Sequence, residues 1–183
     1  MAFWESSVTA AIVASGKAES IRLISTAMEI RAATVEDVPQ VIPMVDRLAA
    51  LHEGWDPAKY PYKPNVGEMY RSWLRSRAND RRSVFLVAAD EAKVVGFIVG
   101  TVEREIPIYR IEEFGFIHDL WVEEQYRHEG IARQLVMAAV EQFAEMGMKQ
   151  VRCDTATHNE AARNLFKSCG FRQSMVEMLV EMK

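Results

Sequence analysis

A chain of 183 residues, 49% apolar and 26% charged, has enough apolar mass for one packed domain and too little for two. Its net charge of −4 argues against a broadly basic nucleic-acid-binding surface, and no apolar run reaches the ~20 residues needed to cross a bilayer. Cys153 and Cys169 lie outside any C-x-x-C spacing, and His52, His118, His128 and His158 form no metal-binding pair, so the expectation is no metal centre and two reduced thiols in a cytoplasmic protein.

Residues 1–28 show no clear period and read as an N-terminal extension. An added element, a flexible arm and upstream sequence ahead of a start at Met28 all fit them. The apolar stretch from Ala10 to Ala14 is short, follows Glu5 and lacks a preceding basic residue, which makes it a poor signal peptide. Residues 29–183 read as one domain.

Glu29 to Ala32 is a short strand. Thr34 is placed as the cap of a helix with Glu36 and Asp37 in its first turn, and Val38, Ile42, Val45, Ala49 and His52 recur at helical spacing. Pro43 predicts a kink or a break there. Between Gly54 and Gly67 lies a proline-rich loop carrying Trp55, Tyr60 and Tyr62, which fits substrate contact and surface packing equally. A helix over 68–78 follows, with Arg71, Arg75, Arg77, Arg81 and Arg82 crowding a face read as solvated. Val84–Ala89 and Val94–Val102 form a hairpin about the turn Asp90–Lys93.

A further strand runs from about Gly115 to Val122, and a helix from about 131 to 146 ends at Gly147. Val151–Thr155 is a strand. Thr157 and Glu160 predict a capping box for a helix ending at Gly170, and a last strand-like segment opens at Phe171. The order describes a mixed α/β domain.

The junction at residues 122–133 carries the chemistry. A strand ends and a helix begins across Arg127, His128, Glu129, Gly130, Ile131, Ala132 and Arg133. A helix N-terminus leaves N–H groups unpaired, carries partial positive charge, and can hold a pyrophosphate. Gly130 and the small Ala132 let an anion approach the backbone, and Arg127 and Arg133 add charge. The glycine triplet of a nicotinamide-binding turn is missing.

Arg127-His128-Glu129-Gly130-Ile131-Ala132 resembles the R/Q-x-x-G-x-G/A signature of the GNAT superfamily of N-acetyltransferases. Asn159-Glu160-Ala161-Ala162 with Phe166 and Gly170-Phe171 is similar to its closing helix and strand, and Glu29–Val38 to its first strand and helix start. The resemblance covers residues 29–183. It implies a mixed sheet flanked by helices and split into a V between strands 4 and 5. Acetyl-CoA would be the acetyl donor, with its pantetheine arm in the split.

Strand 4 is then Phe116–Val122, with an expected β-bulge and an oxyanion-stabilising N–H. Leu120, Trp121 and Val122 are expected along the cofactor, Leu120 and Val122 through backbone. Asn159 is expected near the pantetheine arm, with plain helix capping as the other reading. His118 and Asp119 are the candidate bases that take a proton from an amine acceptor, a small molecule or peptide; a regular strand would point them to opposite faces. Phe166 departs from the family's tyrosine acid, and is read as shaping the cleft near the sulfur. This departure keeps a second reading open: a catalytically weak acyl-CoA-binding sensor. Only residues 171–183 follow Gly170, which leaves little room for a lid and fits an open acceptor site or one completed in a homodimer.

Overall fold

Strands β2 (Ser83–Asp90) and β3 (Lys93–Arg104) are apolar on both faces and almost wholly buried, so layers must cover both sides of the sheet. The computed structural model describes residues 28–182 and shows how this is met. The strand order is β1–β2–β3–β4–β5, with β1 (Glu29–Ala32) antiparallel to β2, and β4 (Glu113–Val122) antiparallel to β3. Among the described strands only β5 (Val151–Cys153) runs parallel to its neighbour. One face packs on α1 (Val38–Trp55) and α2 (Val66–Ala78) through Phe85, Val87, Phe97, Val99 and Trp121. The other packs on α3 (Ile131–Glu145) and α4 (Glu160–Ser168) through Leu86, Ile98, Ile117, Leu135 and Phe143. Gly115 lets α3 sit close, because a Cβ there would lie 2.5 Å from Phe143 Cγ.

Several local expectations are corrected. α1 begins at Val38 and not at Thr34. Asp37 ends the preceding turn, where its Oδ2 accepts from the Thr34 N–H at 2.8 Å and from Thr34 Oγ1 at 3.0 Å. α1 runs unbroken through Pro43, which lies in its second turn and leaves the Pro39 carbonyl without the i→i−4 bond a residue with an N–H would give it. At α4 the cap is Asn159, whose Oδ1 accepts from the Ala162 N–H at 3.0 Å, so the Thr157 capping box does not form. Residues 171–182 form no strand among the described residues, and Met175, Met178, Val180 and Met182 are exposed. Alternation alone cannot make a strand without a paired neighbour. The expectations for residues 1–27, including the extension and the signal-peptide reading, lie outside the described residues.

Asp37 gives the fold an acid-sensitive joint. Arg31 Nη1 and Nη2 bind its two oxygens at 2.7 and 2.8 Å, and the pair holds the carboxyl down at about 2. A depressed carboxyl stabilises the fold above its unfolded value, and that stability is lost as pH falls from about 4 to about 2. Asp37→Asn should therefore lower stability at pH 7 by about 2 kcal/mol, since one unit corresponds to ~1.4 kcal/mol. Urea melts at pH 7 and pH 2.5 check this: the deficit should shrink at the lower pH, and an equal deficit at both would contradict the pairing.

Candidate active site

The pairing of β4 changes character at one residue. On the β5 side, Gly115, Phe116 and Ile117 pair with Val151, Arg152 and Cys153, and the ladder stops there. From His118 to Val122 that edge of β4 has no strand partner among the described residues, so the sheet opens into the V expected between strands 4 and 5. On the β3 side, Val99 pairs with Asp119 and Gly100 with Ile117, which leaves His118 as the extra residue of a β-bulge.

The bulge resolves where the two candidate bases point. An extra residue removes the alternation at that point, so His118 and Asp119 both face α1 and α2. The His118 ring packs edge-on against Trp73 of α2, at 5.4 Å between centroids, and against Phe116 at 5.1 Å. Its Nε2 lies 2.7 Å from Thr101 Oγ1, and Glu103 Oε1 is 3.7 Å away. Burial pushes the imidazole below its usual range, and the nearby Arg77 adds to this while Glu103 opposes it. A neutral imidazole at pH 7 is the form that accepts a proton.

Asp119 borders a small cavity with Val45 and His52 of α1, Tyr62 of the loop, and Tyr70 of α2. Its Oδ2 is sealed and has no hydrogen-bond partner among the described residues. Burial raises the carboxyl to about 6, and the Tyr70 hydroxyl opposes the rise. An orphaned carboxylate oxygen beside aromatic rings is a site suited to an ammonium group. The aromatic loop contributes to this wall while also packing on α1: His52 stacks on Tyr60 at 5.0 Å, and Tyr60 on Tyr62 at 6.0 Å. The surface-packing reading of the loop therefore holds, and Tyr62 also lines the cavity at Asp119.

The strand-to-helix turn is open. None of the N–H groups of residues 128–133 donates a hydrogen bond among the described residues, and His128 and Gly130 take left-handed φ of 67° and 81°. Six consecutive free donors at the start of a helix make an anion-binding concavity. Glu129 and Arg133 are exposed there, Ala132 is half-buried and Ile131 is buried. Arg127 turns the other way. Its Nε donates to the Val122 carbonyl at 3.0 Å, and its guanidinium lies 4.9 Å above the Trp121 ring. Arg127 thus ties the turn to the end of β4.

Leu120 and Val122 send their side chains into the α3 face and Trp121 into the α1 face, leaving the backbone edge facing the split. Asn159 caps α4 as described. Phe166 is buried against Phe171, 5.2 Å between centroids. Cys153 closes the paired end of β5, and burial pushes its thiol up to about 12, which disfavours a thiolate there. Sequence reasoning did not single out Tyr70, Thr101 or Glu103. Thr101 and Glu103 follow Val99 at a period of two and share its face, a signal that reads as plain strand alternation until the bulge is seen.

An unpaired stretch of β4 edge beside a cradle of free N–H groups defines a class by geometry: a mixed α/β domain with an anion-accepting turn at the mouth of a sheet split. The profile of the acetyltransferase (GNAT) family matches residues 48–171. The chain belongs to that family. It is 30% identical over 138 residues to human N-acetyltransferase 8B, covering 73% of this chain and 60% of the relative. It is 29% identical over 154 residues to an N-alpha-acetyltransferase of Sulfurisphaera tokodaii, covering 80% and 81%. Against human N-acetyltransferase 8, at 34% over 100 residues, the chain spans 43% of the relative's length, so it matches only about half of the human proteins. Among solved structures, a tetramutant of the BH1408 protein from Bacillus halodurans superposes with a TM-score of 0.75 at 23% identity, covering 85% of this chain and all of that one. A metagenomic aminoglycoside acetyltransferase superposes at 0.61 and 21%, covering 87% and 99%. These two likenesses concern the fold.

Proposed function

We propose that this chain transfers the acetyl group of acetyl-CoA to a primary amine of a small molecule or peptide, by direct attack and without a covalent enzyme intermediate. The observation that carries the reading is the bulge, which sets His118 and Asp119 together where the β4 edge becomes free. The N–H groups of residues 128–133 would hold the pyrophosphate, and the edge of Leu120 to Val122 would hold the pantetheine arm. The amide of Asn159 and the ring of Phe166 would border it. Bound acetyl-CoA supplies an activated thioester carbonyl.

His118 takes a proton from the ammonium of the acceptor and leaves a neutral amine able to attack. Asp119 holds the ammonium on arrival. Phe166 has no proton to give, and a thiol of pKa ~8.5 leaves tolerably as thiolate, so the reaction proceeds without a tyrosine acid. We place the reaction in the cytoplasm; no described helix is long and apolar enough to cross a membrane. A homodimer is part of the reading, supported by the exposed apolar residues after Gly170.

The sensor reading keeps one observation in its favour, the buried Phe166 in place of a hydroxyl-bearing residue. A panel of small amines, polyamines, amino acids and peptides, read by CoA release, decides between them. Turnover on any class supports the enzyme. Stabilisation by acetyl-CoA without turnover supports the sensor, and no stabilisation by acetyl-CoA would sink both.

The turn is tested separately. No atom lies within 4 Å of a Cβ built on Gly130, but its φ disfavours other residues and its N–H belongs to the cradle. Gly130→Glu should weaken acetyl-CoA binding about tenfold or more, a loss of ~1.4 kcal/mol or more. Calorimetric titration with CoA reads it directly, and unchanged affinity would remove the cradle.

A further inference from the structure

We propose that Thr101 and Glu103 form a hydrogen-bond relay that fixes the tautomer of His118, placing its proton on Nε2 and leaving Nδ1 as the atom that accepts the substrate proton. The inference rests on the reading of His118 as the base and deepens it.

The relay follows from counting protons. Thr101 Oγ1 lies 2.6 Å from Glu103 Oε1 and 2.7 Å from His118 Nε2. A hydroxyl has one proton to donate, and an ionised carboxylate can only accept. The charge-assisted bond to Glu103 therefore takes the Thr101 proton. Thr101 can then only accept from His118, so Nε2 must carry a hydrogen. The direct separation of Nε2 from Glu103, 3.7 Å, is too long for a hydrogen bond, which makes the threonine hydroxyl the necessary link.

The opposite tautomer would turn the Thr101 proton toward His118 and strip Glu103 of its short contact. Thr101 is buried at 6% exposure, so water does not readily replace either partner. On His118, Nδ1 has no hydrogen-bond partner among the described residues.

The fold builds this relay through the bulge. Thr101 pairs with Phe116 and Gly100 with Ile117. Val99, Thr101 and Glu103 share the α1/α2 face by strand alternation. The bulge turns His118 onto that face as well. Trp73 and Phe116 hold the ring edge-on, which restricts its rotation. Arg77 of α2 lies close enough to disfavour the imidazolium, and its guanidinium is itself 5.7 Å over Trp73. Glu103 of β3 favours the imidazolium, while Asp119, next on β4, and Tyr70 of α2 stand together at the neighbouring cavity.

In the transfer step a proton moves from R–NH3+ to Nδ1, giving R–NH2 and an imidazolium with hydrogens on both nitrogens. The new positive charge is stabilised by Glu103 through Thr101. Thr101 and Glu103 touch neither substrate nor cofactor in this scheme and are positioning residues.

The test needs no turnover for its first arm. In the full chain labelled with 15N-histidine, long-range proton–nitrogen correlations identify which ring nitrogen of neutral His118 is protonated. The expected result is a proton on Nε2 and a bare Nδ1. A proton on Nδ1 would overturn the relay. In the second arm, Thr101→Val should mix the tautomers and lower kcat by about tenfold to a hundredfold, part of the ~10²–10⁴-fold that a whole base supplies. KM for acetyl-CoA should stay unchanged. Thr101→Ser, which keeps the hydroxyl, should restore the single tautomer and most of the rate, and guards against misfolding of the valine variant. Wild-type tautomer and wild-type kcat in Thr101→Val would also overturn the proposal. Full activity in His118→Ala would instead overturn the base reading, while the nitrogen shifts would still decide the hydrogen-bond arrangement.

Discussion

His118→Ala should lower kcat with a good amine acceptor by ~10²–10⁴-fold, the range for loss of a positioned general base. The pH profile should change with it. Burial and Arg77 hold the His118 imidazole below its ordinary value, so it is neutral across the physiological range. A base acts only when unprotonated, so the wild-type rate should rise through an apparent pKa below the usual ~6.5 of histidine and then level off. In the alanine variant that limb should vanish, leaving a rate that follows deprotonation of the amine in solution. Added imidazole should restore part of the rate if the cavity left between Trp73 and Phe116 admits it. The limb must be separated from Asp119, whose carboxyl sits at about 6. The same profile in Asp119→Asn makes the separation: a limb retained there and lost in His118→Ala belongs to the histidine. Equal rates and an equal limb in wild type and His118→Ala would exclude His118 from proton transfer.

The elements that position these groups were largely legible in the sequence, because they depend on local pattern. β2 and β3 announce themselves by continuous apolar runs about a short turn. The N–H cradle is visible as one glycine where a strand meets a helix, and its context with Asn159–Phe171 gave it meaning. The expectation of a bulge came from a family resemblance, and its place at His118 had to be seen, since register is a property of two strands together. The same holds for Tyr70. On α2 it is one aromatic among several, and only packing of α2 over β4 brings it to Asp119. Arg77 was read as part of a solvated basic face, yet its guanidinium spans Trp73 toward His118. The final strand was misread because alternation marks a half-buried surface, and residues 171–182 have no surface to be buried against among the described residues.

Asp119 should be a residue that costs stability in exchange for its chemistry, and the sign is testable. Its carboxyl is raised from 3.8 to about 6 by burial. The folded protein therefore binds that proton more tightly than the unfolded chain does. Between about pH 4 and pH 6 the native state holds more protons, so stability falls as pH rises through this window and stays lower above it. The full effect is bounded by about two units at ~1.4 kcal/mol each. Asparagine has nearly the same shape and no charge to desolvate. Asp119→Asn should thus stabilise the protein at pH 7.5 by roughly 1–3 kcal/mol, or several degrees of Tm for a chain of this size. At pH 4, where aspartic acid is mostly protonated, the two proteins should melt nearly alike. The same variant should bind its amine acceptor more weakly, because the proposed reaction uses the Asp119 carboxylate to hold the ammonium on arrival. Stability gained at a functional position with activity lost is the pattern of a site built for a ligand. A variant that is destabilised at pH 7.5, or equally stabilised at both pH values, would mean that the Asp119 carboxylate is satisfied in solution and that the acceptor amine is held elsewhere.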